Sequence, residues 1–225
     1  INTVGNTGWD TPYVEINGLK WATMNVGAKS KTEAGHYFAW GYAEGCVRNT
    51  AGDGWVLASD NTTKKQFNTT YFENRDASSF KDAATSNWGG SWRMPTGGTT
   101  AGDFIDLFRA CGIASGYQCT PTPDGGTGTK NKGVYWCEDY SGKKGALFIA
   151  EDNGPHLFFP AAGHGIDAKL DEDTEKSNSG YYLSSSTITT MPTMVYCLYI
   201  GKKPNSVAAG GSSKSLGWSV RPVSD

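Results

Sequence analysis

Residues 217–223, with the sequence Gly-Trp-Ser-Val-Arg-Pro-Val, place one arginine inside an otherwise mostly apolar stretch. The alternation of side chains predicts a strand over 218–223. A charge so close to a large aromatic residue is normally paired. We therefore expect Arg221 to stack on aromatic rings and to bond to backbone carbonyls or a buried carboxylate. Trp218 is predicted to be a core residue.

Four further stretches combine aromatic residues with Gly or Pro in a similar way. They are residues 21–27 (WATMNVG), 35–41 (GHYFAWG), 92–96 (WRMPT) and 158–163 (FFPAAG). Trp21, Trp40 and Trp92 are predicted to be core residues like Trp218, because a tryptophan buries a large apolar area. Arg93 is expected to be paired as Arg221 is.

One segment has a helical pattern, at about residues 101–111. Apolar residues recur there at helical spacing up to Cys111. Thr100 and Asp103 have the spacing of a capping box at the start of this helix. Gly112 follows it and can adopt the left-handed conformation that ends many helices.

Most other segments have a strand-like pattern. Residues 43–91 are polar and rich in Gly, Asn and Thr, and are expected to form long loops. Antiparallel pairing is expected because no helical crossovers separate the strands. The predicted strands are 12–16, 134–137, 146–150, 156–159, 181–185, 195–200 and 218–223.

The composition of the 225 residues excludes some functions and favours others. The net charge of -2 and the scattered basic residues argue against a nucleic-acid partner. No apolar run is long enough to span a bilayer. The chain begins at Ile1 rather than Met, so we interpret it as processed or truncated and expect an exported protein.

The five cysteines fit no Cys-x-x-Cys metal or redox pattern. We expect them to be small buried residues, although Cys111 and Cys119 are close enough in sequence for a bridge. The three histidines, His36, His156 and His164, show no metal-binding spacing, and each is interpreted as a surface or turn residue.

An acidic cluster lies at residues 171–175, with the carboxylates Asp171, Glu172, Asp173 and Glu175. Calcium needs six to eight oxygen ligands, and this run lacks the glycine and the terminal glutamate of an EF-hand loop. A solvated acidic loop is the preferred interpretation, and calcium binding stays the alternative. No catalytic constellation is present, so we predict no enzyme, no cofactor and no metal.

Taken in order, the five aromatic stretches resemble the Fibrobacter succinogenes major paralogous domain family over roughly residues 20–223. That family is abundant in exported proteins and lipoproteins of gut Bacteroidetes. It is similar in fold to C-type lectins, to formylglycine-generating enzymes and to the variable proteins of diversity-generating retroelements. Gly97–Thr100 depart from the family pattern, as does Tyr182-Leu183-Ser184, where a tryptophan usually stands.

The resemblance implies an α+β, C-type-lectin-like fold with mostly short antiparallel strands, long loops and one or two helices. It implies a single domain over 1–225, with a motif-bearing core at about 12–223. It also implies a secreted or surface-displayed protein, of which an outer-membrane lipoprotein with a lipid anchor upstream of Ile1 is one form. Direct membrane insertion is not expected, and the protein is expected to be a monomer.

The resemblance also implies a binding surface at about 181–217, the segment that retroelement-diversified relatives vary. Tyrosine with serine and asparagine is the chemistry of antibody paratopes. The candidate ligand-binding residues are Tyr181, Tyr182, Ser184, Ser186, Tyr196, Tyr199, Asn205 and Ser213. The calcium-binding triplet of sugar-binding lectins is absent, and the nearest match is Lys203-Pro204-Asn205.

Three functions compete at this stage. The first is a binding or adhesion module that recognises a protein or a glycan, with possible retroelement diversification. The second is an oxidase of the formylglycine-generating type, although such enzymes use two late cysteines and only Cys197 lies in that region. The third is a structural module of a surface assembly.

Overall fold

The computed structural model describes residues 13–114, 118–171 and 178–225. Within them the chain forms two short helices, α1 (Ala83–Trp88) and α2 (Asp103–Ala110), and fifteen strands. The strands are β1 (Tyr13–Ile16), β2 (Leu19–Ala22), β3 (Cys46–Arg48), β4 (Trp55–Leu57), β5 (Lys64–Lys65), β6 (Gln118–Cys119), β7 (Gly133–Tyr140), β8 (Lys143–Ile149), β9 (His156–Pro160), β10 (His164–Ile166), β11 (Lys169–Asp171), β12 (Ser179–Thr187), β13 (Met194–Gly201), β14 (Val207–Ser213) and β15 (Val223–Ser224). The protein is therefore α+β and mainly β.

The strands form five small sheets, and all pairs between named strands are antiparallel, as predicted. The largest sheet has the order β12-β13-β14-β6. Three-stranded sheets have the orders β1-β2-β15, β3-β4-β5 and β7-β8-β9, and β10 pairs with β11.

Residues 217–224 are buried and connect these sheets. The backbone of 217–223 forms hydrogen bonds with Gly165, Phe38, Tyr181, Leu183, Val26, Ala22 and Arg93. The predicted strand over 218–223 is therefore wrong except at Val223. Because consecutive residues bond to different segments, the stretch cannot pair with one neighbour as a strand does.

Three clusters make up most of the core. The largest packs α2 between β1-β2-β15, β7–β9 and one face of the four-stranded sheet. The second surrounds Trp40 and Trp218 and covers part of the other face of that sheet. Trp21 and Trp92 are also buried, so the prediction for all four tryptophans is confirmed.

The prediction of long loops over 43–91 is wrong in part. This region contains β3, β4, β5 and α1, and it encloses the third cluster, in which Trp55 and Phe67 pack edge to face at 5.0 Å. The aromatic residues that organise the region are far apart in the sequence. Their spacing therefore gives no strand or helix periodicity.

Helix α2 lies where the sequence predicted it, but its N-terminal cap differs. The N-cap is Gly102, which has no side chain that could accept a hydrogen bond from the helix. The backbone N–H of Asp103 donates to Thr96 Oγ1 at 2.9 Å, and the Asp103 carboxylate accepts from the Thr96 N–H at 2.7 Å. The predicted Thr100 cap is wrong, whereas Gly112 has the expected positive φ of 86°.

Candidate ligand-binding face

The largest sheet aligns four side chains across its strands. Tyr181 of β12 lies opposite Tyr199 of β13, Tyr199 opposite Ala208 of β14, and Ala208 opposite Gln118 of β6. Directly opposed residues in antiparallel strands project to the same face. We call these four residues the tyrosine row; each of them is partly exposed.

Aromatic packing holds the first end of the row in place. The Tyr181 ring lies 4.8 Å from the Tyr199 ring and 4.9 Å from the edge-on ring of Trp218. His164 of β10 contacts Tyr181 at 4.7 Å and stacks on Trp218 at 5.8 Å. Because Trp218 is buried, Tyr181 is fixed from beneath while its outer part remains accessible.

Tyr199 is placed by the glycine two residues further along β13. A Cβ atom at Gly201 would lie 2.8 Å from Tyr199 Oη and 3.1 Å from Cζ. The ring therefore occupies the space above Gly201 and leans along its own strand. Any larger residue at position 201 would push the ring away from this position.

Strand β14 presents only small residues on the face beside the two tyrosines. Ala208 pairs with Tyr199 and Gly210 pairs with Cys197, so small residues follow one another on this face. A Cβ atom at Gly210 would meet no atom within 4 Å, which means that open space lies above it. The face has a ridge of two tyrosines and a trough over Ala208 and Gly210.

Two of the predicted ligand-binding residues lie inside the fold. Tyr182 is 0% exposed, donates from its hydroxyl to the Pro160 carbonyl at 2.6 Å and packs edge-on against Phe159. Ser184 is also 0% exposed and donates to the Tyr196 carbonyl at 2.7 Å. Tyr181 and Tyr182 were both predicted to contact the ligand, but only Tyr181 reaches the surface, because neighbouring residues of a strand project to opposite faces.

The other predicted residues lie away from the row or at its end. Tyr196 alternates onto the opposite face, where its Cβ lies close to Gly97. Ser186 Oγ accepts from the Gly97 N–H at 3.0 Å, and Ser213 Oγ lies 3.1 Å from Ser215 Oγ. Asn205 is exposed in the β13–β14 turn, and its carbonyl accepts from Gln118 Nε2 at 2.6 Å.

The sequence therefore predicted Tyr181 and Tyr199 at this face and missed Ala208, Gln118, His164 and Trp218 as their neighbours. Trp218 was assigned to the core, where it does lie. Gln118 gave no signal, because its place depends on the pairing of β6 with β14, which are far apart in the chain.

Burial governs the chemistry of the cysteines. All five are free and buried, and burial raises the pKa of each thiol from 9.0 to about 12. Cys197 lies within β13, and a thiol with such a pKa is protonated and poorly nucleophilic at neutral pH. Cys111 and Cys119 are not bridged.

The described residues contain no group of three or more His, Cys, Asp or Glu side chains that could hold a metal ion. Of the acidic cluster, Asp171 ends β11, while Glu172, Asp173 and Glu175 lie outside the described residues. His36 is partly buried, and burial lowers its pKa from 6.5. His164, interpreted from the sequence as a surface or turn residue, lies in β10 and is partly buried against Trp218 and Tyr181.

No helix in the described part of the chain is long and apolar enough to cross a membrane. Comparison with protein-family models, with curated proteins and with solved structures gave no significant match.

Proposed function

We propose that this protein is an exported or surface-displayed binding module of C-type-lectin-like fold that contacts its ligand through the tyrosine row. The observation that carries the proposal is the cross-strand pair Tyr181–Tyr199, partly exposed and held by Trp218. Rigid tyrosines offer a large amphipathic contact area at low entropic cost, because each side chain has only two rotatable bonds to fix.

The structural setting of the row supports binding more than catalysis. Cys197, the late cysteine that an oxidase of the formylglycine-generating type would use, projects to the same face as Tyr199 but is only 3% exposed within the cluster around Trp218, and its thiol has a pKa of about 12. The proposed module is a monomer. It binds a protein or a glycan without calcium, another metal or a cofactor.

A binding screen with two matched variants tests this proposal. The purified protein is screened against arrays of glycans and of proteins, and the affinity for each hit is measured by calorimetry. Tyr181→Ala and Tyr199→Ala should each weaken binding by at least about tenfold, which is the loss expected when a central tyrosine of an interface is truncated.

Tyr135→Ala is the control, because Tyr135 is a partly buried tyrosine in β7 of a different sheet. It should leave the affinity unchanged, and circular dichroism should show that all three variants are folded. If every hit binds Tyr181→Ala and Tyr199→Ala as tightly as the original protein, the tyrosine row is not the binding surface.

A further inference from the structure

The four strands that build the tyrosine row carry no charge. Strands β6, β12, β13 and β14 contain no Asp, Glu, Lys, Arg or His. The row itself presents two phenol rings, one methyl group and one carboxamide. Recognition of carboxylate, sulfate or phosphate groups normally uses Arg or Lys, and these strands provide neither.

Charged residues follow directly after β13 and β14 in the sequence. Lys214 follows β14, but it is buried and donates from its Nζ to the Arg75 carbonyl at 2.8 Å. Lys202 and Lys203 occupy the turn after Gly201, and Lys202 Nζ pairs with Glu138 at 2.6 Å. Glu138 also lies 3.4 Å from Lys144, so this carboxylate is shared by two ammonium groups. The turn therefore directs Lys202 towards the β7–β8 sheet and not along the tyrosine row.

The shape of the row fits a narrow ligand. Four adjacent strands at a spacing of about 4.8 Å give the row a length of about 14 Å. A stable protein interface buries roughly 800 Å² on each partner around a well-packed apolar centre. The tyrosine row is a strip one residue wide with a trough beside it, which suits a short linear ligand better than a broad protein surface.

We propose that the tyrosine row binds an uncharged oligosaccharide, an inference that rests on the proposed function and names its ligand class. The apolar C–H face of a sugar ring stacks on Tyr181 or Tyr199, whose ring faces carry partial negative charge. The next sugar ring lies in the trough over Ala208 and Gly210. The carboxamide of Gln118, whose Nε2 already donates to the Asn205 carbonyl, accepts from a sugar hydroxyl through its Oε1 at the far end of the row.

The test uses an array that contains neutral oligosaccharides of glucose, galactose, mannose and xylose beside sialylated, sulfated and uronic-acid-containing ones. The protein should bind neutral members in preference to charged ones. Calorimetric titration with the bound neutral oligosaccharides should give the same affinity in low and high salt, because salt screens only interactions between charges.

Two glycine variants test the geometry without removing a tyrosine. Gly201→Ala should weaken binding several-fold, because its Cβ displaces the Tyr199 ring. Gly210→Ala should weaken binding by filling the trough while leaving the fold intact, because its Cβ meets no other atom. Gly128→Ala is the control: it also adds a methyl group in open space, but in a loop outside the four strands.

The outcomes distinguish failure of this inference from failure of the proposed function. Three results overturn the neutral-sugar inference: preference for charged glycans, an affinity that falls with salt, and binding only of proteins. In each of these cases the proposed function stands if Tyr181→Ala and Tyr199→Ala lose the observed binding. Absence of saturable binding to any neutral oligosaccharide also overturns the inference. Neutral-sugar binding that survives both tyrosine substitutions overturns the inference and the proposed function together.

Discussion

Arg221 is a fully buried cation with no carboxylate partner among the described residues. Its Nε donates to Asn25 Oδ1 at 2.8 Å, its Nη1 donates to the Ala22 carbonyl at 3.1 Å, and its guanidinium lies 4.6 Å from the Phe159 ring centre. Burial lowers its pKa to about 10, so it remains charged at neutral pH. The side chain joins residues 217–223 to β2 and to the main core.

Arg221→Lys should reduce the free energy of unfolding by about 3 kcal/mol, because lysine keeps the charge buried but lacks the planar group that stacks and bonds to two acceptors. Urea unfolding followed by fluorescence measures the change. Arg109→Lys is the control, since Arg109 and Asp106 form an exposed pair that should contribute less than about 1 kcal/mol. Equal effects of the two substitutions would contradict the structural role of Arg221.

At the scale of single elements, helix α2 is fixed by a residue seven positions before it. Thr96 and Asp103 exchange two hydrogen bonds, and Arg93 Nη1 donates to the same Asp103 carboxylate at 2.6 Å. Residues 97–102 form a loop between the two partners. The exchange has the chemistry of a capping box, but the hydroxyl comes from outside the first turn.

Thr96→Val should lower the free energy of unfolding by about 1 kcal/mol, because the N–H of Asp103 loses its acceptor at the start of the helix. Thermal or urea unfolding measures this loss. Thr100→Val changes a residue with the sequence spacing of a cap but an exposed side chain, and should change stability by less than about 0.5 kcal/mol. A larger loss for Thr100→Val than for Thr96→Val would show that the helix is capped as the sequence pattern predicted.

At the scale of the whole molecule, the five buried thiols make stability depend on alkaline pH. Burial raises the pKa of each from 9.0 in an exposed state to about 12 in the folded state. Between these values the unfolded chain releases thiol protons that the folded protein retains. The folded state is therefore favoured fully below pH 9, and its stability falls as pH rises towards 12.

We expect the free energy of unfolding to decrease above pH 9, with each thiol contributing a slope of about 1.4 kcal/mol per pH unit. Urea unfolding under reducing conditions from pH 7 to 11 measures the slope. Cys197→Ala should reduce the slope by about 1.4 kcal/mol per pH unit, because one titrating thiol is lost. Leu198 is a buried neighbour without a titrating group, so Leu198→Ala should lower stability without changing the slope. An unchanged slope in Cys197→Ala would contradict this account.

Large residues and strand patterns were the predictable part of the fold. The four tryptophans of the aromatic stretches are buried because their apolar area is costly to expose, whatever the topology. Most of the alternating segments are strands of antiparallel sheets. Strand β14 (Val207–Ser213) was missed because Ala, Gly and Ser have little intrinsic preference for strands, and pairing with β13 stabilises it there.

The sequence by itself determined that a segment rich in tyrosine and serine lies at about 181–217, and that an arginine is enclosed by mostly apolar residues. Period-two alternation further required that Tyr181 and Tyr182 project to opposite faces of one strand. Only the tertiary structure decided which of them is buried. The main core encloses Tyr182 on one face of the sheet, whereas the cluster around Trp218 covers Tyr181 on the other face only in part, so Tyr182 fills the interior and Tyr181 reaches the surface.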